Sequence, residues 1–109
     1  MDEMFSSVPC LRSAMSRAYY SAFIGARNFL RERREIGLRG SAEDHRLVRD
    51  RFMQSTDRTR KQIGVWLGRL SATRGKADYE DVFVGSLVKS AEASLQAARY
   101  LLDSLRRLP

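Results

Sequence analysis

VFVGSLVKSAEASLQAARYLLDSLRR, residues 82–107, decides the fold class. Val84, Leu87, Val88, Ala91, Leu95, Ala98, Leu102 and Leu105 recur three and four residues apart, the spacing that lays one apolar stripe along an α-helix. This is the longest periodic block in the chain. The block before it, Arg58 to Arg74, has the same period in Ile63, Trp66, Leu67 and Leu70. Gly64 and Gly68 lie within it, each costing about 1 kcal/mol of helix propensity relative to alanine. Two glycines four residues apart therefore predict close approach by another helix.

Upstream, Ser41 reads as an N-cap, with Glu43 and Asp44 in the first turn, where the helix dipole favours carboxylates. The helix it opens runs to about Gln54 on a thin apolar face of Leu47, Val48, Phe52 and Met53. Ser55, Thr56 and Asp57 interrupt the pattern and can cap the next helix. The first block, about Leu11 to Arg34, follows Leu11, Met15, Tyr19 and Phe23 at i, i+4, with Ala22, Ala26, Phe29 and Leu30 beside them. Tyr19 and Tyr20 flank this stripe and both read as core. Gly37 and Gly40, in a loop from about Glu35, follow where this helix is expected to end.

No block alternates as a strand does, so the chain is all-α: a single up-and-down bundle of about four helices. Its 109 residues make one domain, 1–109, in which 1–9 form a short N-terminal segment that can be disordered. Cys10 is the only cysteine and His45 the only histidine, so no intramolecular disulfide and no usual zinc ligand set can form. No cofactor and no metal are expected. No apolar run reaches the roughly 18 residues of a membrane span, and Met1-Asp2-Glu3-Met4 lacks the basic start of a secretory signal. A cytoplasmic protein without membrane contact is the expectation.

The net charge is +7, and 17 of the 20 basic residues are arginine. Arginine's planar fork suits phosphate oxygens, which makes polyanions natural partners, although a solvated surface explains the same composition. Arg46, Arg49, Arg51, Arg58, Arg60 and Lys61 form the densest basic cluster. With Lys76 added and Arg51 left aside, they are the candidate nucleic-acid contacts. His45 shares a face with Val48 and Phe52 and reads as a satisfied interior histidine.

The remaining signal is Arg74-Gly75-Lys76-Ala77-Asp78-Tyr79, where an arginine, a carboxylate and a phenol fall within six residues as the helical pattern runs out. Arg74 follows Leu70 by four and projects on the apolar side. Arg74, Asp78 and Tyr79 are the candidate catalytic residues. Two plainer readings stand beside that one: a helix-end ion pair for Arg74 and Asp78, and a packing role for Tyr79.

Ser16-Arg17-Ala18-Tyr19-Tyr20-Ser21-Ala22-Phe23, His45, Leu67-Gly68-Arg69-Leu70, and Arg74 followed by Ala77-Asp78-Tyr79 resemble, in that order, the HEPN superfamily. The closest likeness is to its small prokaryotic branch with an Arg, then Ala-Asp-Tyr, motif. The resemblance implies a helical bundle, often a homodimer, that binds RNA or nucleotides or cleaves RNA as a metal-independent ribonuclease. It also implies a minimal nucleotidyltransferase as antitoxin partner in a toxin-antitoxin pair. Nuclease members carry a histidine four to six residues after the arginine that matches Arg74, and none stands there in this chain. Tyr79 resembles a tyrosine that such partners nucleotidylate. Relatives also carry a further amphipathic helix before the segment that starts at Ser16; either it is lost here or the start is internal. If it is lost, the aromatic face around Tyr19, Tyr20 and Phe23 is expected to be partly uncovered. The alternative is a catalytically inactive helical scaffold that dimerises and binds a protein or nucleotide.

Overall fold

Among the described residues the chain forms four helices: α1 (Val8–Glu32), α2 (Glu43–Met53), α3 (Arg58–Tyr79) and α4 (Val84–Arg107). The structure is a computed structural model that describes residues 8–79 and 84–109, without side-chain detail at 76–79 and 84–85. The all-α bundle expected from the apolar periodicity is what the chain forms. None of the helices described is long and apolar enough to cross a membrane.

Leu11, Met15, Tyr19 and Phe23 are all buried, as the i, i+4 stripe requires, and Val48, Phe52, Ile63, Leu67 and Leu70 close over its C-terminal half. On α4 Leu87, Ala91, Ser94, Ala98, Leu101 and Leu105 are buried, alternating four and three apart, with Ser104 buried beside the last of them. That is a seven-residue repeat, the period of a coiled-coil seam. The expected stripe departs from it at one point: Leu95 is exposed, whereas Leu101 is fully buried. The cause lies in α1. Its own seam of Leu11, Met15, Ala18, Ala22, Gly25 and Phe29 keeps a constant sequence offset from the six α4 positions. The two helices run parallel and in register, with Leu11 and Met15 clustered against Leu87 and Ala91. Gly25 makes this possible, since a Cβ there would sit 2.6 Å from Leu102 Cδ2.

α3 runs the opposite way against α2: Gly64 meets Met53 and Gly68 meets Arg49. The close approach expected of the two glycines is real at Gly64, where a Cβ would fall 2.8 Å from the Met53 side chain. At Gly68 it would make an ordinary 3.7 Å contact. The path adds a detail to the up-and-down expectation. The ten-residue connection 33–42 carries the chain back along α1, so α1, α2 and α4 point one way and α3 the other. Ten residues reach about 33 Å when extended, more than the ~20 Å this return needs.

Helix ends differ from the sequence reading in three places. α1, described from Val8, ends at Glu32, ahead of the expected Arg34. It ends before either glycine: Arg34 adopts φ 55°, its N–H donates to the Arg31 carbonyl, and the Glu35 N–H donates to that of Leu30. This is a Schellman closure built on a non-glycine residue. The Glu35 carboxylate holds it by ion pairs at 2.9 Å to Arg51 and 2.8 Å to Arg60. At α2 the N-cap position is Ala42, and no side chain caps it. Asp44, buried, instead accepts from the Arg39 N–H at 3.1 Å and the Gly40 N–H at 2.8 Å, fixing the loop from inside the helix. Gly40, at φ 74°, allows that turn. α3 starts as expected, with the Asp57 carboxylate accepting from the Arg60 N–H at 2.9 Å, and it continues past Arg74 to Tyr79.

Candidate functional site: a cationic pocket around His45

Three polar residues sit on helix faces that otherwise carry the core: Tyr19 on α1, His45 in the first turns of α2, and Ser71 on α3. The apolar stripes to which they belong drive them together, and each polar tip must then find a partner. Tyr19 and His45 find each other, with 2.5 Å between the phenol oxygen and Nδ1. Burial pushes the Tyr19 pKa up, while Arg74, Arg49 and the Ser71 hydroxyl pull it down and Tyr20 adds to the rise. The phenol therefore keeps its proton, and it shares one hydrogen bond with Nδ1 whose direction is set by the imidazole tautomer. Burial first, and Arg74 second, lower the pKa of His45 below 6.5, against a smaller opposing pull from Asp44. The imidazole thus favours its neutral form at pH 7.

Aromatic contacts fix the ring. Phe23 stacks on His45 at 4.0 Å between centroids and 11° between planes, and Tyr20 meets it edge-on at 5.7 Å. The Arg74 guanidinium lies over Tyr19 at 4.5 Å and over Tyr20 at 5.2 Å, close enough for cation–π attraction.

A cavity of about 180 Å³ opens beside this cluster, lined by Tyr19, His45, Arg46, Arg49 and Ser71 among others. The acidic residues nearby neutralise it weakly. Arg46 reaches Glu43 at 3.4 Å with both side chains more than half exposed, and Arg49 reaches Asp50 only at 3.9 Å. Exposed pairs of this kind are worth about 0–1 kcal/mol, too little to hold the arginines from an anion. Asp44, the third carboxylate of this region, is spent on the loop amides.

The structure thus brings Arg46, Arg49 and Arg74 to one place and divides them from the other basic candidates. Arg60 grips Glu35 with both nitrogens and lies 5.2 Å from the Phe29 ring centroid, and Arg51 shares the same carboxylate. These contacts engage both guanidinium groups with Glu35. Arg58 and Lys61 are exposed at the start of α3, and Arg58 lies about 24 Å along the helix from Arg74. Asp78 and Tyr79 continue the helix that carries Arg74, so Arg74 is not in the last turn. The side chains of Asp78, Tyr79 and Lys76 lie outside the described residues.

Tyr19 and His45 carry the site, although their sequence reading was as packing residues. The signal for them was available: a phenol and an imidazole on two facing apolar stripes require a common hydrogen bond. Tyr20 departs from its core reading, being 45% exposed where Tyr19 is 4% exposed. One position along a helix turns a side chain by about 100°, enough to leave the stripe.

The chain matches no family model, no curated protein and no solved structure. The HEPN likeness rests on the sequence motifs alone.

Proposed function

We propose that this bundle is an RNA-binding protein whose pocket between α1, α2 and α3 takes a backbone phosphate. The observation that carries the reading is the convergence of Arg46 and Arg49 with a neutral, hydrogen-bonded His45 at a cavity of about 180 Å³, with Arg74 beside it over the Tyr19 ring. Guanidinium groups can grip phosphate oxygens bidentately. The net charge of +7 supplies the long-range attraction that brings a polyanion in. The motifs that resemble the HEPN superfamily point the same way, and they alone carry the finer parts of the proposal: a cytoplasmic homodimer partnered with a minimal nucleotidyltransferase.

The reading is binding and not cleavage. The histidine that the resemblance requires after Arg74 for cleavage is absent, and His45, the one histidine of the chain, is tied through Nδ1 to Tyr19.

Anisotropy titrations of a labelled 12-nucleotide RNA at several salt concentrations test the proposal. Affinity is expected to fall with salt, and Arg49→Ala with Arg46→Ala is expected to shallow the log–log slope by about 0.7, the value for one phosphate of a single strand that is no longer neutralised. Arg58→Ala with Lys61→Ala should change the slope by no more than about 0.3, well under the value for one phosphate. Equal effects from the two pairs would mean diffuse charge attraction without a site, and absence of binding at low salt would sink the RNA reading.

A further inference from the structure

Tyr20 has no place in the core and none in the phosphate pocket. The residue is 45% exposed, and what sets it apart from the still more exposed Tyr100 is that it adjoins the site on three sides. Its ring meets Tyr19 edge-on at 5.4 Å and His45 edge-on at 5.7 Å, and Arg74 lies over it at 5.2 Å. These contacts hold the ring in one orientation while close to half of the residue faces solvent. Ile24, one turn further along α1, is exposed as well, at 43%.

We infer that Tyr20 is a stacking platform for an unpaired nucleobase, so that the pocket reads single-stranded RNA: one phosphate against Arg46, Arg49 and His45, and the neighbouring base on the Tyr20 ring. The inference rests on the RNA-binding reading and narrows its substrate class. A rigid aromatic face beside a cationic pocket matches both halves of a nucleotide at once, the flat π-face and the charge. Arg74 serves both halves, since its guanidinium borders the ring and its charge is felt at His45. A duplex cannot use the platform. Its bases are stacked on one another, and only its phosphates reach the pocket.

The test uses the whole chain with an unstructured 12-nucleotide RNA and with the same sequence as a blunt duplex, both followed by anisotropy. Wild type is expected to bind the single strand more tightly than the duplex at equal salt. Tyr20→Ala should weaken single-strand binding by about fivefold to a hundredfold, the range expected for one stacked base, and leave duplex binding unchanged. Tyr20→Phe, which keeps the ring, should retain wild-type affinity. A strand carrying 2-aminopurine should change its emission on binding to wild type and Tyr20→Phe, and respond less with Tyr20→Ala. Tyr20 is exposed, and thermal melting should confirm that the alanine variant folds as wild type does. If Tyr20→Ala binds the single strand as wild type does, while Arg46→Ala with Arg49→Ala does not, the platform is refuted and the phosphate site stands. If wild type binds neither RNA, both readings fall together.

Discussion

Glu35 shows how one carboxylate sets the limits of a fold and of a site. It accepts from Arg60 through both oxygens and from Arg51 through one, and these contacts hold its pKa down to about 2, below the ordinary 4.5. Hydrogen bonds from Arg60 are the largest cause, and partial burial opposes them. A depressed carboxylate pKa stabilises the native state above the unfolded value, and the gain is lost as pH falls from about 4.5 towards 2. Glu35→Gln should therefore cost about 1–3 kcal/mol at pH 7 by urea denaturation, the range for hydrogen bonds to charged groups. The gap between variant and wild type should close near pH 2; a gap that persists unchanged would place the loss elsewhere. Glu35 also explains why the basic cluster was only half legible in the sequence. Charge density marks Arg46, Arg49, Arg51 and Arg60 alike, but the residue that occupies Arg51 and Arg60 lies in the preceding loop, beyond any local pattern. Tyr19 and His45 had the reverse fate, because their apolar spacing concealed that they share a hydrogen bond.

Among the elements, α3 is the one whose sequence cost has a spatial answer. Gly64 lies where Met53 presses in, with the Met53 backbone nitrogen 3.1 Å from the site of a Cβ, whereas Gly68 meets only the flexible Arg49 stem at 3.7 Å. Alanine at either position gains about 1 kcal/mol of helix propensity. At Gly68 nothing opposes that gain, so Gly68→Ala should raise stability by up to about 1 kcal/mol. At Gly64 the side chain of Met53 is 42% exposed and can swing aside, but its backbone cannot. Overpacking of about 1–3 kcal/mol then outweighs propensity, and Gly64→Ala should be destabilising. Thermal melts of the two variants check the order, and a more stable Gly64→Ala would overturn the register of α2 on α3. The glycine pair announced a close approach from sequence alone. Which member met a backbone depended on that register, as the exchange of Leu95 for Leu101 on α4 depended on the parallel seam with α1.

Across the whole molecule, the site follows from the path of the chain. Because the 33–42 connection returns along α1, the start of α2 arrives beside the middle of α1 and the later turns of α3. His45, Tyr19 and Arg74 meet at that crossing, 26 or more residues apart in sequence. A helix order can be read from periodicity, but this crossing needs the length of a loop and the seam it returns along. The central claim is that His45 stands neutral in a cationic pocket that receives phosphate. As the only histidine, it gives one unambiguous imidazole signal. A proton NMR pH titration of His45, alone and with saturating 12-nucleotide RNA, is the direct test. The free protein should show a pKa below 6.5, because burial and Arg74 disfavour the charged ring, and bound phosphate should raise it by about 1 unit or more. A pKa at or above 6.5 that RNA leaves unmoved would contradict the account.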